Sequence, residues 1–206
     1  MDIIKFSEIN IGFINQELEK GKIFVISTDT SYGIVGNINK QTVERIYKIK
    51  ERSKDKLMPI FVNQKIAKEV AIVNRQVDAL MKEFWPGDLT LILQVGPSKN
   101  KILGSVLDPN NTIVAREPND RLILNILKEY KLPVTATSAN ISNKPPAYKS
   151  KQIMDYFSKT SSLSPDYFID SGNLPRRQVS TIIDLTSNLK ILRTGRIKLK
   201  DIKEAL

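Results

Sequence analysis

The chain has 206 residues, with 32 Lys plus Arg against 22 Asp plus Glu, a formal net charge of +10, and neither Cys nor His. The two zeros exclude a disulfide framework, a thiol nucleophile, a Cys or His zinc site and a Ser-His-Asp triad. Catalysis must then draw on Lys, Arg, acids, hydroxyls, amides, backbone N–H groups or a cofactor, a set suited to positioning and charge stabilisation.

In chain order, Ile3 to Phe6 reads as a short strand, and Ser7 as the N-cap of a helix with Ile11, Ile14 and Leu18 on one face. Gly21 stops that helix, and Ile23 to Ile26 is a buried strand. Thr42 to Glu51 is a helix, Pro59 to Val62 a strand, and 64–83 one or two helices broken near Asn74. Strands follow at Leu89 to Val95 and Thr112 to Arg116, then an amphipathic helix from Asn119 to Lys131. Val134 to Thr137 is a strand, 150–158 a helix, and Phe168-Ile169, Thr181 to Leu185 and Ile191-Leu192 are the last strands. Strands and helices mix without strict βαβ repetition, which predicts an α/β fold with one open, twisted, mixed sheet flanked by helices.

Hydrophobic residues make up 41% of the chain in short blocks, enough for one domain over 1–206. No apolar run reaches the roughly 18 residues that span a bilayer, and Met1-Asp2-Ile3-Ile4-Lys5 lacks a signal peptide's apolar core. A cytoplasmic protein with no membrane partner is expected. The charge suits a polyanion such as nucleic acid, nucleotide or an acidic membrane surface. It suits a solvated Lys surface equally, since Lys outnumbers Arg by 23 to 9.

Polar clusters stand at strand ends. Ser27-Thr28-Asp29-Thr30-Ser31-Tyr32-Gly33 reads as a ligand loop or as a helix N-cap. Lys50-Glu51-Arg52-Ser53-Lys54-Asp55-Lys56 reads as a polyphosphate cradle or as cations at a helix C-terminus. Trp85-Pro86-Gly87-Asp88-Leu89-Thr90 reads as an aromatic anchor and a tight turn into the sheet. Thr137-Ser138-Ala139-Asn140-Ile141-Ser142 offers phosphate or ribose contacts, or Asx and Ser turns. Arg116, Ser180-Thr181 and Leu192-Arg193-Thr194-Gly195 also sit at strand ends, and neither a Walker A motif nor a Rossmann glycine fingerprint is present.

In this order, with Val114-Ala115-Arg116-Glu117-Pro118 and Ser180-Thr181-Ile182-Ile183-Asp184, the clusters resemble the YrdC-like threonylcarbamoyl-adenylate synthase family from about residue 20 to 197. The resemblance implies a twisted α/β sheet with a basic central cavity. It implies that L-threonine, bicarbonate or CO2, and ATP with Mg2+ give threonylcarbamoyl-AMP and pyrophosphate. The product would serve N6-threonylcarbamoylation of tRNA, which links the chain to the tRNA threonylcarbamoyltransferase complex. Any tRNA binding of its own, which the net charge would drive, is expected to be weak.

Family roles carry over as Lys50 and Arg52 for catalysis; Arg52, Lys56, Thr112, Ser138, Asn140 and Arg193 for ATP; and Thr28, Thr30, Arg116 and Ser180 for threonine. The metal ligands are not assigned, and Mg2+ is expected to ride on the phosphates. Four positions depart from the family pattern. Ser27 and Leu57 replace Pro, Phe61 stands where many members have a threonine-contacting His, and Gln178 stands where Gly is common. The chain ends 11 residues after Gly195, as in the short, single-domain form. The competing class is a basic RNA-binding module, but the aromatic-rich strands of an RRM and a KH-type GxxG loop are missing.

Overall fold

A computed structural model of the protein describes residues 1–97, 103–157 and 163–206. Strand β1 is Asp2–Lys5, followed by helix α1 (Ile11–Glu19) and strands β2 (Phe24–Ser27) and β3 (Tyr32–Val35). Helix α2 (Lys40–Ile49), strand β4 (Ile60–Phe61) and helices α3 (Gln64–Val70) and α4 (Arg75–Phe84) come next. Then follow β5 (Leu89–Gln94), β6 (Thr112–Arg116), α5 (Arg121–Tyr130), β7 (Val134–Thr135) and β8 (Thr137–Ser138). The chain closes with α6 (Ser150–Phe157), β9 (Tyr167–Asp170), β10 (Thr181–Asp184), β11 (Lys190–Arg193) and α7 (Leu199–Glu204). Position 158, expected to end α6, lies outside the described residues.

The α/β architecture is the expected one, but the strands divide into two mixed sheets where a single sheet was predicted. One has the order β1-β9-β2-β3-β8 and the other β11-β10-β5-β6-β4-β7. The division falls within the expected strand Val134 to Thr137. Its first half, β7, pairs with β4, and its second half, β8, pairs with β3 of the other sheet. Ala136 is the crossing point, and its N–H donates to Pro59 O at 2.8 Å. Just before it, Thr135 N donates to Gly36 O at 2.9 Å, so the two sheets meet along this segment.

Amide and carboxylate side chains set the helix starts. Asn10, Asn39, Asn63, Asn74 and Asp120 each accept from a backbone N–H in the first turn of the helix they precede. Each such cap contributes about 1 kcal/mol. Asn10, not Ser7, therefore starts α1, because Phe6–Glu8 forms a separate short 3-10 turn. The break expected near Asn74 is that residue's own cap. A continuous buried core runs from Ile14 and Leu18 of α1 through β2, β3, β5 and β6 to Ile202 of α7.

Among the described residues, β3 and α7 went unpredicted. Strand β3 follows the polar run Ser27–Gly33, which turns out to be the connection of a β2–β3 hairpin, so the helix-cap reading falls away. Helix α7 buries Ile202 alone, too little to give a periodic signal. Among the described residues, no helix is long and apolar enough to cross a membrane.

Candidate functional site

A cavity of about 380 Å³ lies where the sheets meet. The β2–β3 turn, β8 and the Pro146–Tyr148 loop face β4, β5, β6, β10 and β11 across it. Register explains the six-stranded wall. Phe61 pairs with Arg116, Leu91 with Ala115, Thr90 with Ile182, and Ile182 with Arg193. Phe61, Arg116, Thr90, Ile182 and Arg193 thus form one row across four ladders, and all five line the cavity. Arg52, Arg116 and Arg193 are its cations, and no Asp or Glu is among its described lining residues.

Arg116 ends β6 with its guanidinium buried and held on two edges. Nε donates to Gly87 O at 2.7 Å, and Nη2 donates to Asp29 Oδ2 at 2.6 Å and Asp88 Oδ1 at 3.0 Å. Nη1 has no partner among the described residues. Burial pushes the Arg116 pKa down, and the two carboxylates push it back up. Asp29 is pushed up by burial, against Arg116 and the Asn119 N–H that also donates to its Oδ2. Asp29 Oδ1 is buried without a partner.

Next to it, Thr90 Oγ1 and Ser180 Oγ lie 2.8 Å apart, and Arg193 Nη2 donates to Ser180 Oγ at 3.1 Å. Burial first, then the charge of Arg116, lowers the Arg193 pKa. Gly195 holds β10 and β11 together, donating its N–H to Thr181 Oγ1 at 2.9 Å. A Cβ there would stand 2.2 Å from Val179 O, closer than any side chain can approach. Opposite, Thr28 Oγ1 closes the hairpin by donating to Ser31 O at 2.7 Å and lies 3.1 Å from Thr30 Oγ1.

The α2 side is different. Lys50 is the C-cap of α2 and is 2% exposed. Its Nζ donates to Ser138 O and, at 2.9 Å, to Asn140 O, while its own carbonyl accepts from Ser142 N at 2.8 Å. Burial and then the charge of Arg52 push the Lys50 ammonium down to about 7. Asn140 is equally committed: Oδ1 accepts from Ser138 Oγ, and Nδ2 donates to Ile141 O and Lys144 O. Arg52 Nη2 donates to Leu57 O at 2.9 Å, and its Nε is buried without a partner.

The structure therefore brings Thr28, Thr30, Arg52, Arg116, Ser138, Ser180 and Arg193 to the cavity. Lys50 and Asn140 lie behind the wall, tying the loop that carries Ser138. Lys56 is exposed, and its carbonyl accepts from Tyr47 Oη. Thr112 opens β6, four residues before Arg116, with its N–H on Asp108 Oδ1 at 2.7 Å. It shares the face of Val114 and Arg116 at the strand's other end. The Trp85 motif does more than anchor a turn. Trp85 Nε1 donates to Leu89 O at 2.7 Å, and Gly87 and Asp88 grip Arg116. Thr90, Asp29, Asp88, Tyr148 and Val179 went unassigned. Thr90, Asp29 and Asp88 lay inside recognised motifs, and Val179 directly precedes Ser180.

Among the described residues, no group of three acids could hold a metal ion.

The Sua5/YciO/YrdC family model, described as telomere recombination, matches residues 16–195. A Methanocaldococcus jannaschii protein provisionally named threonylcarbamoyl-AMP synthase is 33% identical over 97% of this chain and 96% of its own. The threonylcarbamoyl-AMP synthase of Pyrococcus abyssi is 30% identical over 96% of this chain, which spans 56% of that longer protein. The crystal structure of P. abyssi Sua5 complexed with L-threonine superposes with a TM-score of 0.84 at 27% identity, covering 100% of this chain and 61% of that one.

Proposed function

The chain belongs to the Sua5/YciO/YrdC family, and on that premise we propose that it is an L-threonylcarbamoyladenylate synthase. It joins L-threonine, bicarbonate or CO2, and ATP, and releases pyrophosphate. The observation that carries this reading is a cavity with three arginines, a ring of hydroxyls and no acid among its described lining residues. Such a lining favours ligands that bring their own negative charge, as an amino-acid carboxylate and a polyphosphate do.

The chemistry suits the residues. The threonine amine adds to CO2 and loses a proton to solvent or bicarbonate, giving a carbamate. A carbamate oxygen then attacks the α-phosphorus, and pyrophosphate leaves with the electron pair of the broken P–O bond. Negative charge develops on oxygen in the first step and moves between oxygens in the second, so fixed cations lower both barriers. Arg116 meets the threonine carboxylate through Nη1, beside the Thr90 and Ser180 hydroxyls. Thr28 and Thr30 face it from the hairpin. Arg52 and Arg193 take the phosphates, with Ser138 at the nucleotide.

Both acids nearest the site, Asp29 and Asp88, bind Arg116. These residues do not form a Mg2+ cage, and no step here passes through the ion, which would travel with the nucleotide. The product is an activated carbamoyl group ready for transfer to tRNA, which places the chain before a tRNA threonylcarbamoyltransferase.

The test is pyrophosphate release from ATP, bicarbonate and Mg2+, with and without L-threonine. Threonine-dependent release is expected. Equal release in both reactions, or none, would sink the reading.

A further inference from the structure

Arg116 has five N–H groups to give. Gly87 O takes the one on Nε, and Asp29 and Asp88 take both on Nη2. A carboxylate arriving in the cavity therefore does not meet the open two-nitrogen fork that arginine usually offers. It meets Nη1 alone, held in one direction by three bonds. The acids sit at unequal depth, with side chains 4% exposed for Asp29 and 18% for Asp88. Asp88 is shared with Arg196 at 3.3 Å, whereas Asp29 serves Arg116 and the Asn119 N–H. Asp29 also comes from the β2–β3 turn, so its bond to Arg116 spans the two sheets.

We propose that Asp29 is a positioning residue for amino-acid binding, aiming Nη1 of Arg116 at the substrate carboxylate without touching the substrate itself, with Asp88 as its weaker second. The proposal rests on the synthase reading of the cavity. It makes Asp29 specific to one substrate: its loss disturbs threonine and leaves ATP alone.

The experiment compares wild type, Asp29→Asn and Asp88→Asn for the KM of L-threonine and of ATP, with calorimetric binding of L-threonine and a thermal melt for each. Asp29→Asn should raise the threonine KM and Kd about tenfold, since it turns a hydrogen bond between charged groups into one to a neutral acceptor whose amide NH2 also competes for the site. Asp88→Asn should raise them less, and the ATP KM should stay within about twofold in both. The same Asp29→Asn change in an Arg116→Lys background should add almost nothing, because its effect runs through the guanidinium. An unchanged threonine KM, equal rises in both KM values, or a full Asp29 effect surviving in the Arg116→Lys background would each overturn the proposal. If Asp29→Asn does not fold, Asp88→Asn decides: a threonine KM at the wild-type value refutes the clamp. Wild type that neither binds threonine nor turns over would refute the synthase reading and the positioning role with it.

Discussion

The two basic sides of the cavity use their cations in opposite ways. On the six-stranded sheet, two carboxylates restrain Arg116, which lines the cavity and keeps Nη1 without a partner among the described residues. At the end of α2, Lys50 gives its ammonium to the carbonyls of Ser138 and Asn140, and Arg52, two residues on, is the cation that reaches the cavity. Adjacent acceptors decide the outcome. Acids that take one nitrogen of a guanidinium leave another free, whereas carbonyls that take an ammonium turn it into a tie.

The largest effect should come from Arg116→Ala, which strands Asp29 and Asp88 without their buried partner. Breaking such a pair costs about 3–5 kcal/mol, readable as a lower urea midpoint. A midpoint equal to wild type would mean the acids are solvated and the contrast is wrong.

Lys50→Met comes next. It takes the ammonium from the carbonyls of Asn140 and of Ser138, which keeps the Asn140 N–H at 3.0 Å, a loss of about 1–3 kcal/mol. It should also change a slope. Lys50 is pushed from 10.5 down to about 7 in the folded chain. Between those values the unfolded chain holds a proton that the folded chain has released, so this residue makes stability rise with pH there. Unfolding free energies at pH 7, 8, 9 and 10 should climb less steeply for Lys50→Met. Parallel curves would return Lys50 to the solvent.

The smallest effects separate Arg52 from Lys56. Arg52→Ala should raise the ATP KM about tenfold through loss of a charge-assisted contact. Lys56→Ala should stay within about twofold, as exposed charges usually do. Equal rises would restore the single basic cluster that the family resemblance implies.

Much of this was legible in the chain. The apolar runs gave β2 and β6, and the motifs that carry the family resemblance gave the three arginines of the cavity lining and its Thr28, Thr30, Ser138 and Ser180 hydroxyls. What stayed hidden depends on distant partners. Asp29 and Arg116 are 87 residues apart in sequence, so nothing local assigns two of the guanidinium's N–H bonds to acids. Lys50 looked like a phosphate ligand because its fate is set by carbonyls 88 and 90 residues away. Thr90 lay in a motif whose Trp and Pro suggested a turn, and only the register with Ile182 puts it in the cavity row. Tyr32–Val35 has too few residues for alternation to reveal a strand, and the split at Ala136 is invisible until β7 and β8 find different sheets.

That split has a consequence for how the molecule opens. Residues 134–138 are hydrogen-bonded into both sheets, so neither sheet can peel away without dragging the other's edge. The two sheets should behave as one cooperative unit in amide hydrogen exchange. The amides of Thr135 and Ala136, bonded to Gly36 O and Pro59 O, should exchange only through the global opening reaction. The pocket then has no partly assembled form: its walls come together, and come apart, in the same event as the whole chain.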